Sequence, residues 1–227
     1  MKIYGKNVFN ELKDNTKSIK KVYISNNFND KEIIKFIKDN RISYVSMDQR
    51  KMDNMVDGRH QGIIIEVNDF DYSNYKDMIG SNIIVVLDHL EDPHNFGAII
   101  RTCECAGIKD IIIPKDRSVS VNGTVMKTSA GALEHVNVAM VSNLVSVIKD
   151  LQSNGYFVYA ADMDGKNYKD VSFADKVVLV IGSEGNGVGR LVKENCDEIV
   201  SIPQYGNVNS LNASVAAAIL IYGIVNK

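Results

Sequence analysis

The sequence contains no apolar run near the roughly twenty residues that a membrane-spanning helix needs. Its first residues, MKIYGKNVFNELKDN, lack the apolar core of a signal peptide, so we expect a cytoplasmic protein. Cysteine is scarce as well, and Cys103, Cys105 and Cys196 do not have the spacing of a disulfide framework. We interpret them as small core or near-surface thiols. The chain has no repeats and no low-complexity tracts.

The chain as a whole also has no large excess of one charge, since its formal net charge is -2. The charge is unevenly distributed, however. Residues 1–50 carry eleven Lys and Arg against six Asp and Glu, whereas residues 80–227 carry twelve against sixteen. A basic segment is one feature of a nucleic-acid-binding protein, although many basic faces are only solvated.

Two regions with different patterns meet near residues 68–80. The first has an amphipathic helical pattern after Asp30, and the turn Asp57-Gly58 leads into its last strand. Its predicted strands are residues 20–25, 42–47 and 60–67. With 227 residues, the chain is long enough for one large domain or for a small and a medium domain. We predict a small α/β domain over 1–70, a linker over 71–80 and a second domain over 81–227.

In the second region, strand and helix patterns alternate. The predicted strands are IIVVLD (83–88), DIIIP (110–114), EHVNVAMV (134–141), YFVYAAD (156–162), KVVLVIGSE (176–184) and DEIVSIP (197–203). The predicted helices begin after Asp92, cover 121–130, begin at a Ser142 cap and end the chain over 211–225. Pro93 suits a first helical turn and Gly107 a helix end. This order predicts a mostly parallel sheet with helices on both sides.

Ligands of such sheets bind beyond the carboxyl ends of the strands, so the polar segments there are candidate sites. After the first strand of the second region, Asn95, Gly97 and Arg101 have the spacing N-x-G-x-x-x-R. Gly97 and Arg101 share one helix face, and Gly97 lets another backbone or a nucleotide approach closely. The alternative is an ordinary helix with a surface arginine.

The same segment does not predict a metal site. Asp88, His89, Asp92 and His94 are close in sequence, but they lack a metal-ligand spacing such as HExxH. Pro93 also interrupts their geometry. We therefore expect no metal.

The glycine-rich segment VVLVIGSEGNGVG is the second candidate. It has neither the Lys-Ser/Thr of a phosphate-binding loop nor the glycine spacing of a dinucleotide site, which argues against a nucleotide-dependent oxidoreductase. Glu184 would repel a pyrophosphate and suits a ligand with donors or positive charge, such as S-adenosylmethionine.

The third candidate is the polar segment before the last helix. It contains Asn207, Asn209, Ser210 and Asn212, which is more than a helix cap requires. A cap at Ser210 or Asn212 alone is the simpler alternative. The small residues of the helix itself predict very close packing against another element or another subunit.

Together, the three segments resemble the motifs of the SpoU (TrmH) family of RNA ribose 2′-O-methyltransferases. The resemblance covers most of residues 83–227. The family's first motif carries the Asn and Arg seen at Asn95 and Arg101, its second the Glu at Glu184, and its third the Ser and Asn at Ser210 and Asn212. These five residues are the catalytic residues that the resemblance implies.

Several segments are similar to the branch that methylates a guanosine ribose of large-subunit ribosomal RNA, with transfer RNA as the alternative substrate. They are DPHNFGAIIRT, IIIPKDRS, SIPQYGNVNSLNASVA, Tyr4-Gly5 and His60-Gln61-Gly62. The resemblance implies a small α/β domain similar to ribosomal protein L30e that helps hold RNA. It also implies an α/β catalytic domain with a trefoil knot and a homodimer. A non-catalytic RNA-binding assembly factor with the same fold is a further alternative.

S-adenosylmethionine is the cofactor that the resemblance implies. Its expected binding residues are Ala161, Gly182, Ser183, Glu184, Gly185, Ile202, Gln204, Leu211 and Asn212. Arg101 is expected either to act as general base or to bind the RNA phosphate, and Asn95 and Glu184 to order the loops and Arg101. Lys115 and Arg117 are candidates for phosphate contact or belong to a solvated loop. Asn122 is expected to face the target nucleotide or to cap the next helix.

Overall fold

The computed structural model describes residues 1–56, 58–207 and 210–226 of the chain. Asp57 and Asn209, two residues named above, lie outside the described residues. The chain folds into two compact units. The first consists of Met1–Asp71 and Val121–Lys127, and the second of Tyr72–Ser120 and Thr128–Lys227.

The first unit contains a four-stranded sheet with the strand order β1-β4-β2-β3. Its strands are β1 (Lys2–Tyr4), β2 (Ile19–Ser25), β3 (Tyr44–Met47) and β4 (Ile63–Val67). β4 is antiparallel to β1 and β2, and β3 is parallel to β2. The three predicted strands are present. The sequence does not predict β1, because three residues are too few to show an alternating pattern.

Helices α1 (Lys6–Glu11), α2 (Lys31–Asp39) and α3 (Gln49–Asp53) complete the main part of this unit. As predicted, Asp30 caps α2, and its side chain accepts a hydrogen bond from the backbone N–H of Ile33 at 3.3 Å. Ile33 and Ile37 are four residues apart and therefore share a helix face, which is buried with Phe9 in the core of the unit.

The second unit contains a six-stranded sheet with the order β10-β8-β9-β5-β6-β7. Its strands are β5 (Ile83–Asp88), β6 (Asp110–Pro114), β7 (Asn137–Val141), β8 (Phe157–Asn167), β9 (Val177–Gly182) and β10 (Glu198–Ser201). All neighbouring strands run parallel. The predicted parallel α/β sheet is confirmed.

Helices cover both faces of this sheet. They are α4 (Pro93–Cys105), α6 (Leu144–Ser153), α7 (Arg190–Lys193) and α8 (Ala213–Val225), whereas most of α5 (Gly123–Thr128) belongs to the first unit. Ile84 and Val86 pack in one core cluster with α6 and the start of α7. Val85 and Leu87 point to the opposite face because side chains alternate along a strand. They are equally buried, on the side of α4 and α8, which contact each other.

The helix ends show where local sequence rules succeed and where they do not. Gly107 has a φ of +76°, and the backbone N–H groups of Gly107 and Ile108 close the last turn of α4 on Glu104 and Cys103. Ser142, however, is the wrong cap for α6. Asn143 caps it instead by accepting from the backbone N–H of Ser146 at 3.0 Å. Serine and asparagine are equally good caps, so propensity cannot choose between neighbours.

Residues 71–80, which the sequence predicts as a linker, lie for the most part within the second unit. The backbone N–H of Ser73 donates to the carbonyl of Val138 at 2.9 Å, and Met78 is buried in the core. The proposed domain boundaries and the trefoil knot remain predictions. Within the described ranges, no helix is long and apolar enough to cross a membrane.

Candidate active site

A cavity of about 670 Å³ lies in the second unit, at the ends of β9 and β10 and beside the middle of β8. It is lined by three stretches of chain: part of β8, the end of β9 with the loop after it, and the end of β10 with the segment that leads into α8. All nine residues predicted to bind the cofactor line it: Ala161, Gly182, Ser183, Glu184, Gly185, Ile202, Gln204, Leu211 and Asn212. Parallel strands bring these segments together at one edge, which is where a sheet of this kind binds its ligands.

The loop after β9 folds back on itself at Gly182. The backbones of Ser183 and Gly187 exchange two hydrogen bonds of 3.1 and 3.0 Å. A Cβ atom on Gly182 would lie 2.0 Å from the carbonyl carbon of Gly187, so no side chain fits there. Gly185 and Gly187 have φ angles of +82° and +65°, which favour glycine. Gly182 therefore serves close backbone packing, whereas Gly185 and Gly187 allow the backbone turn of the loop.

Glu184 joins the first and third motifs. Its Oε1 atom accepts a short hydrogen bond from the side-chain amide of Asn95, near the start of α4. The same oxygen accepts a hydrogen bond of 3.0 Å from Nδ2 of Asn212, at the start of α8. Asn95 is 6% exposed, so its amide depends on this acceptor. The structure thus brings together three of the five predicted catalytic residues.

Asn212 also caps α8. Its Oδ1 atom accepts from the backbone N–H groups of Ser214 and Val215 at 3.0 and 3.4 Å, and from the Ser214 hydroxyl at 2.6 Å. Both the nitrogen and the oxygen of the Asn212 side-chain amide are hydrogen-bonded, which fixes the orientation of the amide. Capping and participation in the site, treated above as alternatives, occur together in Asn212. Ser210 lines the same cavity.

The third wall comes from a bulge in β8 that the sequence does not predict. Ile199 pairs with Ala160, but the next residue, Val200, pairs with Lys166. The intervening residues leave the ladder, and among them Ala161 and Asp162 line the cavity. Gly165 allows the strand to return, because a Cβ there would lie 2.6 Å from the backbone of Ile199.

Asp162 forms an ion pair of 2.7 Å with Lys193 of α7. Partial burial opposes ionisation of this carboxyl group. The hydrogen bond from Lys193 and those from nearby backbone N–H groups outweigh it, so the pKa of Asp162 is lower than usual. Asp162 and Glu184 are the two charged residues among the described residues that line the cavity, and both are acidic. Lys193 balances the charge of Asp162, whereas Glu184 has no ion-pair partner within the described residues, so the cavity favours a ligand with positive charge.

Arg101 lies on α4, outside the lining of the cavity, and its side chain is exposed. Over the described part of the chain, it has no hydrogen-bond or ion-pair partner. The expected ordering of Arg101 by Asn95 and Glu184 stays a prediction. Gly97 is in close contact with its own chain, since a Cβ atom there would lie 1.8 Å from Oγ1 of Thr128.

The other three residues expected to bind RNA follow β6 along the chain. Lys115 and Arg117 are exposed in the loop after this strand. Asn122 caps α5, because its Oδ1 accepts from the backbone N–H groups of Thr124 and Val125 at 2.9 and 3.1 Å. The structure thus places Asn122 in the capping role, while contact of these residues with RNA stays a prediction.

Asp88 and Asp92, considered above as metal ligands, have structural partners. Asp88 is 1% exposed and accepts from the backbone N–H of Gly189 at 2.6 Å. It also contacts Nδ1 of His89 at 2.5 Å. Asp92 caps α4 by accepting from the backbone N–H of His94 at 2.9 Å. Among residues 1–56, 58–207 and 210–226, no group of three His, Cys, Asp or Glu side chains is placed to hold a metal ion.

Comparison with known proteins identifies relatives along the whole chain. The family model described as the SpoU rRNA Methylase family matches residues 82–222. A second model, for RNA 2′-O ribose methyltransferase substrate binding, matches residues 2–73. A protein of Staphylococcus haemolyticus, named for the TrmH family of tRNA/rRNA methyltransferases, is 37% identical over 99% of this chain and 95% of its own length. A Bacillus subtilis protein with a name of the same kind is 36% identical over the same shares.

Solved structures agree with this result at the level of the fold. The SpoU methyltransferase AviRb of Streptomyces viridochromogenes, crystallised with AdoMet, matches with a TM-score of 0.76. That match covers 100% of this chain and 89% of AviRb, at 20% sequence identity. An rRNA methyltransferase of Sinorhizobium meliloti, also bound to AdoMet, matches with a TM-score of 0.76 over 99% of this chain and 86% of its own, at 20% identity.

Proposed function

The chain belongs to the SpoU rRNA methylase family, and we propose that it transfers a methyl group from S-adenosylmethionine to a ribose 2′-hydroxyl of RNA. A guanosine of large-subunit ribosomal RNA is the proposed target, with transfer RNA as the alternative. The observation that carries the proposal is the cavity at the carboxyl edge of the sheet, in which Glu184 joins the loop after β9 to Asn212 at the start of α8 and to Asn95 of α4.

The cavity fits this cofactor in size and charge. Its volume of about 670 Å³ is within the range of small-molecule sites. Its two described acidic residues, Glu184 and Asp162, suit the ammonium and sulfonium groups of S-adenosylmethionine. Apolar side chains such as Ile202 and Leu211 offer a surface for a flat adenine ring. The cofactor, when bound, supplies an electrophilic methyl group.

Arg101 is proposed to bind the phosphate of the target nucleotide and so to position its hydroxyl. An arginine side chain keeps its proton up to a pH of about 12, which makes it a poor general base. A guanidinium group binds phosphate through two parallel hydrogen bonds. The exposed position of Arg101 on α4 and its lack of a partner among the described residues support this role.

The variant Arg101→Lys separates the two roles. If Arg101 binds phosphate, kcat at saturating RNA stays near the wild-type value, while KM for RNA rises by about tenfold because one bidentate contact is lost. A fall in kcat of about a thousandfold at saturating RNA would instead support the role of base. Arg190→Lys is the matched control, since Arg190 is an exposed arginine of the same unit that pairs with Glu194.

The substrate is identified by labelling. The protein is incubated with labelled S-adenosylmethionine and, separately, with unmodified ribosomal and transfer RNA, and the methylated ribose is then mapped. Label in ribosomal RNA at a guanosine ribose is the expected result, and label only in transfer RNA selects the alternative. No label in either RNA contradicts the proposed function. It would favour a non-catalytic RNA-binding factor if S-adenosylmethionine also fails to bind by calorimetry.

The proposed organisation has a small RNA-binding domain over 1–70 and a methyltransferase domain over 81–227 that acts as a homodimer without a metal. Val215, Tyr222 and Val225 are exposed on α8 and form an apolar patch, which supports a contact between two copies. Light scattering of the purified chain tests this point. A mass equal to that of one chain across the concentration range would contradict the dimer.

A further inference from the structure

The first unit contains a second cavity, of about 390 Å³, for which the proposed methyl transfer has no use. Four side-chain amides line it: Asn27, Asn29, Gln49 and Gln61. An amide offers both donors and an acceptor, as the edge of a nucleobase does. The side chains of Asn27 and Asn29 are exposed, and neither has a hydrogen-bond partner within the described residues. Their amides are therefore available to a ligand.

One wall of this cavity is held rigidly. Gln61 adopts a φ of +53°, which is rare outside glycine, and its Oε1 accepts from the backbone N–H of Lys6 at 3.0 Å. The ring of His60 is buried. Its Nδ1 accepts from the N–H of Gly62 at 3.0 Å, and its Nε2 contacts Asp53 at 2.9 Å. Strained backbone of this kind is concentrated at binding sites.

Charged side chains and an aromatic ring complete the lining, in which the acidic residue Asp53 accompanies the cations Lys6 and Arg59. Arg59 is exposed and, among the described residues, has no ion-pair partner. Lys6 pairs with Asp30 at 3.0 Å, and its Nζ lies 5.3 Å from the centre of the Phe28 ring. Unpaired amides, a cation and a partly exposed ring are the groups that recognise single-stranded RNA through base edges, phosphate and stacking.

We propose that this cavity binds one unpaired nucleotide of the RNA substrate, outside the site of methyl transfer. Asn27 and Asn29 would contact the edge of the base, Phe28 its face and Arg59 the adjacent phosphate. This proposal rests on the proposed function for the choice of RNA as ligand. The volume of the cavity exceeds that of a single base, and its lining is too polar for an apolar peptide side chain.

Direct binding tests the proposal without the need for catalysis. The full chain is titrated into a short fluorescein-labelled single-stranded RNA of mixed sequence. Arg59→Ala and Asn29→Ala are each expected to weaken binding by about five- to tenfold, the loss of one or two hydrogen bonds to a charged or polar group. Arg41→Ala is the matched control, because Arg41 is an exposed arginine of the same unit outside the cavity. It should change binding by less than about twofold.

Several outcomes would overturn the proposal. One is an equal loss for Arg41→Ala and Arg59→Ala, which would mean that only overall charge matters. Another is equal competition by a duplex of the same sequence, since a paired base cannot enter the cavity. A photo-crosslink from 5-iodouridine RNA to the peptide with Phe28 is expected, and crosslinks confined to other surfaces would contradict it.

The failure of this proposal can be told apart from failure of the proposed function. If RNA is methylated normally while the Arg59→Ala and Asn29→Ala variants bind the probe like the wild type, only the cavity proposal is wrong. If these variants lose binding but no RNA is ever methylated, the cavity is supported as an RNA site. The methyltransferase assignment is then the one that fails.

Discussion

The two cavities of this protein differ in how their walls are held and in the charge they present. In the second unit, a carboxylate and close backbone contacts fix the walls, and the charged lining residues are acidic. In the first unit, exposed amides, two cations and one carboxylate, that of Asp53, line a more polar space. The comparison indicates that one cavity suits a small cation that must be held in a single orientation. The other suits a flexible anionic polymer.

The largest effect on stability is expected from Gly182→Ala, which would disrupt the cavity of the second unit. The new Cβ would lie 2.0 Å from the backbone of Gly187, and backbone cannot move aside as a flexible side chain can. We expect a loss of about 3 kcal/mol or more in the free energy of unfolding, measured with urea. Gly206→Ala is the control, because nothing lies within 4 Å of its Cβ position. Equal stability of the two variants would show that the β9 loop is not closely packed.

Glu184→Ala should have the next largest effect, on S-adenosylmethionine affinity rather than on the fold. The buried amide of Asn95 loses its acceptor, and Asn212 loses its tie to the β9 loop. The cavity also loses one of its two described acidic side chains, and a hydrogen bond to a charged group contributes about 1.5–3 kcal/mol, so affinity should fall by roughly ten- to a hundredfold in calorimetry. Glu194→Ala, which removes an exposed carboxylate of the same unit, should leave affinity unchanged. Wild-type affinity in Glu184→Ala would show that cofactor binding does not depend on this carboxylate.

The sequence predicts the second unit well because the apolar pattern of each strand agrees with the burial of that strand in the sheet. Buried parallel strands such as β5 and β9 are apolar in all but their last residue, and the sequence predicts the bounds of β5 as observed and those of β9 to within two residues. The candidate site follows from the rule that polar segments after such strands meet at one edge. The hydrogen bond between Glu184 and Asn95 does not follow from the pattern, since 89 residues separate the two in sequence.

What the sequence could not predict depends on tertiary contacts. The bulge of β8 arises because the pairing with β10 skips several residues, and only Gly165 hints at it. No sequence motif surrounds Asp162. Its carboxylate pairs with Lys193, which is distant in the sequence, so the pattern could not indicate this contact. The placement of Val121–Lys127 in the first unit is likewise a matter of packing, because the core there includes contacts with Met126.

Asp162→Asn should have a smaller effect, and one that depends on pH. The pKa of Asp162 is lowered in the folded protein, so its ion pair stabilises the fold above the unfolded-state pKa of about 3.9. That stability is lost as the pH falls through the folded pKa. We expect the Asp162→Asn variant to have a free energy of unfolding about 1 kcal/mol lower than the wild type at pH 7. The difference between the two proteins should shrink below about pH 4. The control is Asp164→Asn, an exposed carboxylate of the same strand. A difference that grows on acidification would contradict the assigned pKa direction.

The smallest effect on stability is expected from Lys6→Met in the first unit. Lys6 pairs with Asp30 at 3.0 Å, and both side chains are partly exposed, so the pair should contribute less than about 1 kcal/mol to stability. Lys6 nevertheless holds the pKa of Asp30 below its usual value, mainly through their hydrogen bond. In the variant, that pKa should rise toward the ordinary value in an NMR titration, while Lys31→Met, a nearby exposed change, should leave it in place. A loss of stability as large as that of Gly182→Ala would contradict the comparison, because the cavity of the first unit would then be held as rigidly as the cavity of the second unit.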